Sequence, residues 1–280
     1  MKNVLFIFVF TIFVGCQNFG QLRLLADLPK KLEEVSGIEI VPNSSLIWMI
    51  NDSGNKPELY GLNKRGKIKK EINIIAKNHD WEDLTSDENG TIYIGDFGNN
   101  DNSRKNLSII IVEQNELDEK NAEVDEIEFE YPDQNQFPPK KAKRYFDAEA
   151  FFYFKSYLYI FTKSRVKDNF GKTTLYKVPA QKGEFVAEKV AEFESCAAME
   201  CWITSADIST DGKKVVLLSQ KSILVFTDFK ADNFFSGKVK VVDLEHVSQK
   251  ESITFKDNNT VLITDERAYG AGGNLYEIKL

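Results

Sequence analysis

The chain has 280 residues, with 36 Lys and Arg against 43 Asp and Glu, and a formal net charge of −7. This acidic balance argues against a nucleic-acid partner, which calls for a basic face, and two histidines with three cysteines leave little material for a zinc centre. The length exceeds that of one simple domain, yet all-β rings reach it as single units, and no Pro- or Gly-rich linker divides the sequence.

Residues 1–15, MKNVLFIFVFTIFVG, read as a secretory signal: Lys2 is the positive start, Val4 to Val14 are apolar, and the polar run QNFGQ arrives soon after. A membrane span needs about 20 apolar residues, so this segment is a leader rather than a span. Phe13-Val14-Gly15-Cys16 resembles a bacterial lipobox, which implies a lipidated Cys16 as the first mature residue, a tether over 16–20 and a folded domain over 21–280. Losing Lys2 with the leader takes the net charge from −7 to −8. Gln17 in place of Asp after the cysteine implies an outer-membrane lipoprotein of the bacterial envelope, facing the periplasm or the cell surface. The protein is then expected to be a monomer held to the membrane by lipid alone; a plain signal peptide with an incidental cysteine is the alternative.

From Gln21 onward the pattern is a repeat, and repeats are read before anything else. Ile38, Leu84, Phe151, Ile208 and Ile253 align as the hydrophobic opening of five units, at spacings of 46, 67, 57 and 45 residues. Each unit continues through a polar turn (PNSS, DENG, FKS, TDGK, KDNN) into a second strand: LIWMIND, TIYIGD, YLYIFTK, KVVLLSQ or TVLITDE. A third follows as ELYGL, LSIIIV, TTLYKV, SILVF or NLYEI, and four units add a charged fourth strand: KIKKEINII, EVDEIEFEY, FVAEKVAEF and KVKVVDL. Period-2 runs of β-branched and aromatic residues between turn residues are strands. Four strands per unit without helices predict an all-β chain, a single β-propeller of five four-stranded blades; six, with one hidden in the long loops, is the alternative. The fifth unit ends one strand short, so the N-terminal run Gln21 to Pro29 is expected to supply it beside Asn274 to Leu280, removing a sheet edge. Tyr131 to Lys143 reads as a long surface loop.

The columns also place charge. Two residues before each opening stand Ser36, Glu82, Glu149, Ala206 and Glu251, and Asp83 and Asp207 are among the residues that follow them. Start of inner strand and end of second strand share one face of a propeller, so this face also receives Asp52, Asp96, Asn99, Lys163, Arg165 and Asp265. Glu82, Glu149, Glu251, Asp83 and Asp207 are expected to crowd one mouth, where carboxylates repel unless a cation, a basic side chain or protonation relieves them. Calcium suits such an all-oxygen set; alternatively each acid caps backbone amides of a neighbouring blade, or Lys163 and Arg165 neutralise the group without metal. Trp48, Trp81 and Tyr269 are candidate aromatic contacts, and His79 is the one candidate water-activating base. Cys196 and Cys201, in SCAAMECW, are expected to close a local disulfide in an oxidising compartment; a metal pair is the sharper alternative. No nucleophile elbow or phosphate-cradling loop is present.

The strings SGIEIVP, LIWMINDSGNKPELYGLN, WEDLTSD, YIGDFGNN, DAEAFF, ADISTDGK and ESITF resemble secreted bacterial propellers related to the phytase-like and SdiA-regulated families. The likeness covers the mature chain and implies the fold; most members have no assigned activity, and function does not follow from fold. Two functions are expected from the residues: a binding or scaffolding module whose acidic face holds a protein, a glycan, a small-molecule ligand or a cation, or a calcium-dependent hydrolase of a phosphoester or lactone.

Overall fold

The computed structural model describes residues 18–268 and 270–280. The leader, Cys16 and Tyr269 lie outside the described residues. No helix among the described residues is long and apolar enough to cross a membrane.

Five antiparallel blades form a ring. The first runs outward through Val35–Glu39, Ile47–Asn51, Glu58–Leu62 and Ile68–Ile74, and the second through Trp81–Ser86, Ile92–Asp96, Leu107–Val112 and Asp125–Glu130. The third comprises Asp147–Phe154, Tyr157–Lys163, Lys172–Pro179 and Glu188–Glu194; the fourth Ser205–Ile208, Lys214–Leu218, Ser222–Thr227 and Lys238–Asp243. In the fifth, Lys250–Asp257, Thr260–Asp265 and Asn274–Lys279 are completed by Arg23–Asp27 from the N-terminus. That strand pairs antiparallel with Asn274–Lys279, Arg23 opposite Glu277 and Asp27 opposite Asn274, so the ends of the ring are joined as expected. Five blades, not six, account for the ring.

The blades hold together because each sheet is apolar on both faces along its middle strands: IWMIN, IYIGD and LSIIIV are buried at every position. Five separate cores result, one in each gap between neighbours; Trp48, Ile50, Trp81 and Ile94 fill the gap between the first and second blades. Outer strands alternate instead, as in Asp125–Glu130, where Ile127 and Phe129 turn inward between exposed acids. The expected strand FVAEKVAEF divides in two. Gly183–Val186 pairs parallel with the outer edge of the second blade, and Glu188–Glu194 takes the fourth place in the third. Ala187, donating its N–H to Glu130 O, is the point of transfer. Covering an exposed edge in this way blocks pairing with another chain.

The inner strands decide where side chains reach the axis. In the first, second, third and fifth blades the register slips once near the start of the inner strand, passing over Ser36, Glu82, Glu149 and Glu251. Such β-bulges leave one residue out of the ladder and re-aim its side chain. The fourth blade has no slip there; Ala206 pairs regularly with Leu217. The repeat column seen in the sequence is therefore a column of bulges.

Candidate functional site

The bulged glutamates stand at one mouth of the ring, beside the ends of the second strands. Lys163, ending the second strand of the third blade, donates Nζ to Glu149. Arg165 donates Nε to Asp147 Oδ2 at 2.5 Å and Nη2 to Glu149 Oε1 at 2.9 Å, and also bonds Asn100. Trp202 lies under both cations, with Lys163 Nζ 5.0 Å and Arg165 Cζ 4.9 Å from its ring centre. Its indole N–H donates to Ser164 O at 2.5 Å, and it directly follows the disulfide joining Cys196 and Cys201. Burial pulls the Lys163 ammonium down, but Glu149 and Glu251 outweigh it and leave it raised. Burial still holds Glu251 well above the usual range, although Lys163 pulls it back; around Asp147 and Glu149 this half of the mouth is charge-compensated.

The other half is not. Asp52, Asp80 and Glu82 each offer a carboxylate oxygen within 4.8 Å of the other two. Glu82 is 9% exposed and has no hydrogen-bond donor among the described residues. Burial, then Glu149, Asp52 and Asp80, hold its carboxyl well above the usual range. Burial likewise pushes Asp52 up to about 6, Glu266 to about 7 and Glu149 to about 7, the last pulled back by Lys163 and Arg165. Ser36, at the equivalent bulge of the neighbouring blade, has a buried hydroxyl with no partner among the described residues.

Two expected members of the acidic mouth are elsewhere. Asp83 returns to the ladder after the Glu82 bulge, and its oxygens accept Ser205 Oγ at 2.8 Å and the Leu84 amide at 2.9 Å. Because Asp83 belongs to the second blade and Ser205 to the fourth, that bond crosses the axis and separates the two mouths. Asp207 lies at the opposite mouth, in a cavity of about 340 Å³ with Glu39, Ser86 and Asp87, and accepts the Phe255 amide at 2.6 Å and the Ile208 amide at 2.7 Å. The unbulged fourth strand puts no acid beside Glu82. Capping of a neighbouring blade thus describes Asp207, and also Asp147, which accepts the Asn99 amide at 2.7 Å. It does not describe Glu82.

Other expected face residues serve the framework. Asp265 is fully buried, accepting Tyr276 Oη and the Asn274 amide, each at 2.9 Å. Asn99 donates Nδ2 to Phe146 O at 3.1 Å and accepts the Arg104 amide at 2.9 Å. Asp96 accepts Arg104 Nη2 at 2.8 Å and His79 Nδ1 at 2.9 Å, which fixes the His79 ring at the rim with its other nitrogen free of this contact. Trp48 and Trp81 are core residues, their indole N–H groups donating to Ser44 Oγ and Lys77 O, each at 3.2 Å. Asp80, Ser36 and Trp202 were not among the expected site residues. Asp80 sits in the motif HDWED and Trp202 directly after Cys201, but neither falls in the repeat column.

No known family profile matches the chain, and no curated protein does. Among solved structures it is similar to hydrazine synthase from Kuenenia stuttgartiensis (15% identity, 83% of this chain and 56% of that one, TM-score 0.43). It is also similar to virginiamycin B lyase from Staphylococcus aureus (13%, 90% and 68%, TM-score 0.44) and to a chain of a nidogen/laminin complex (11%, 82% and 72%, TM-score 0.47). The chain therefore spans little more than half of the hydrazine synthase chain. At these scores the likenesses carry no argument about activity; the propeller is read from the chain's own strand order.

Proposed function

We propose that this protein is a lipid-tethered binding module of the bacterial envelope whose Glu82 mouth is the ligand face and takes a positively charged ligand. The observation that carries this reading is charge imbalance around the buried Glu82: it and the half-buried Asp52, Asp80 and Glu266 have raised carboxyls, while Lys163 and Arg165 are committed to Asp147 and Glu149. A cation entering such a site replaces lost solvation for several carboxylates at once. The lipobox-like start supports the tether in this reading.

A basic peptide, labelled decalysine, is the probe. Glu266→Lys is expected to weaken its binding, read by fluorescence anisotropy, by about tenfold. Glu88→Lys, at the opposite mouth, should leave it within about twofold. Equal loss from both variants would remove the Glu82 mouth as the ligand face. The second reading, a calcium-dependent hydrolase, is favoured by one observation: Asp96 orients His79 at the rim of the same mouth. Turnover of p-nitrophenyl phosphate or dihydrocoumarin that needs calcium and is lost in His79→Ala would establish it; absence of turnover leaves the binding reading.

A further inference from the structure

We propose that Asp52, Asp80 and Glu82 form a calcium site that lies off the ring axis, at the junction of the first and second blades. It deepens the reading above and rests on the Glu82 mouth being the ligand face. The first argument is elimination among the bulged acids. Glu149 is engaged by both Lys163 and Arg165, and Lys163 also lies in the field of Glu251. An ion at the axis would have to displace an ammonium already buried there. Glu82 has no direct competitor: Arg165 lies within its field but is bonded to Asp147 and Glu149, no salt bridge reaches Glu82 among the described residues, and it is nine-tenths buried.

The second argument is geometric. Oxygens from Asp52, Asp80 and Glu82 lie within 4.8 Å of one another. Ligands about 2.4 Å from a calcium ion stand at most about 4.8 Å apart, so small side-chain adjustments bring the three into one coordination shell. Calcium takes six to eight oxygens in flexible geometry, whereas magnesium demands a tight octahedron. The unpartnered hydroxyl of Ser36 is a neutral oxygen on the adjacent inner strand. Gly98 forms the wall: a Cβ there would stand 2.0 Å from Glu82 Oε1 and 2.5 Å from Asp80 Cγ, so only glycine lets both carboxylates keep this arrangement.

Titration calorimetry of calcium chloride into the full chain, stripped of metal with chelator, tests the site. One site is expected. Glu82→Gln and Asp52→Asn should each weaken it at least about tenfold, with unfolding midpoints no lower than wild type, because each removes a carboxylate whose charged form burial and acidic neighbours disfavour. Gly98→Ala should weaken calcium through the displaced carboxylates, and Asp207→Asn, at the far mouth, should leave it unchanged. Absence of calcium heat in wild type overturns the proposal, as does a Glu82→Gln titration equal to wild type. Equal losses in Glu82→Gln and Glu149→Gln would return the ion to the axis and overturn the off-axis placement. Decalysine binding that persists in a protein blind to calcium would sink this site while sparing the ligand face.

Discussion

At one mouth of the ring Glu82 stands without a donor among the described residues, while at the other Glu39 and Asp207 are each held by two. Glu39 accepts Ser86 Oγ at 2.6 Å and Thr254 Oγ1 at 3.2 Å, joining the first blade to the second and fifth, and Asp207 takes two backbone amides. All three acids come from inner strands, and all three are buried. The difference lies in register. A bulge lifts Glu82 out of the ladder, away from amides that a regularly paired residue would meet, whereas Asp207 stays in register beside the next blade. Burial alone therefore does not mark a ligand site. What marks it is burial without a donor, because an unpaired buried carboxylate is costly and a cation is one way to offset it.

The comparison breaks most visibly at Lys163. Its ammonium is the buried partner of Glu149, so Lys163→Met leaves that carboxylate, with Glu251 nearby, without its main neutralising charge. Removing one partner of a buried pair costs about 3–5 kcal/mol, and urea unfolding should show a loss of that size. Glu39→Gln at the opposite mouth should cost far less, since the amide still accepts from one hydroxyl and donates to another. Similar losses from the two variants would mean that the mouths do not differ in charge compensation.

The fold was legible because a propeller repeats its signal: five alignments of apolar runs and turns, with one strand missing at the end, specify both blade count and closure. The face assignment of Glu82, Glu149 and Asp52 followed from the same columns. What the columns hid was the bulge. A slip of one residue lets Asp83 reach across the axis, whereas the unslipped fourth blade leaves Asp207 at the far mouth, and sequence alone does not show where a ladder skips. Asp80 and Trp202 were hidden for another reason, since they come from loops whose course is set by tertiary contacts such as the Cys196–Cys201 bridge.

A change of pH sharpens the contrast by a smaller amount. Burial raises Glu39 to about 8 and Asp207 to about 7, so the folded state binds protons more tightly than the unfolded chain there. Their stabilising contribution is complete below the unfolded pKa, near 4, and is lost as pH rises through about 7 to 8. Glu39→Gln removes one of these groups. The variant should lie within about 1 kcal/mol of wild type at pH 5 and exceed it by up to a few kcal/mol at pH 8, compared through urea midpoints. The slope is reduced rather than abolished, because Asp52, Glu149 and Glu266 titrate in the same direction. A variant parallel to wild type across that range would show that Glu39 is ionised throughout.

The smallest effect is expected at Asp87, which lines the Glu39 mouth and looks, by charge alone, as suited to a cation as Asp52. Its Oδ1 accepts the amides of Asn89 and Thr91, each at 2.9 Å, in a turn where Gly90 sits at φ +90°. Asparagine offers the same carbonyl oxygen to the same amides, and both residue types favour this turn. Asp87→Asn should therefore change stability by less than about 1 kcal/mol. Calcium heats should match wild type as well, because the Asp83–Ser205 bond separates this mouth from Glu82. If Asp87→Asn lowered calcium affinity as far as Glu82→Gln, the ion would belong to the acid-lined turn face, and the distinction between satisfied and unsatisfied carboxylates would lose its meaning for this ring.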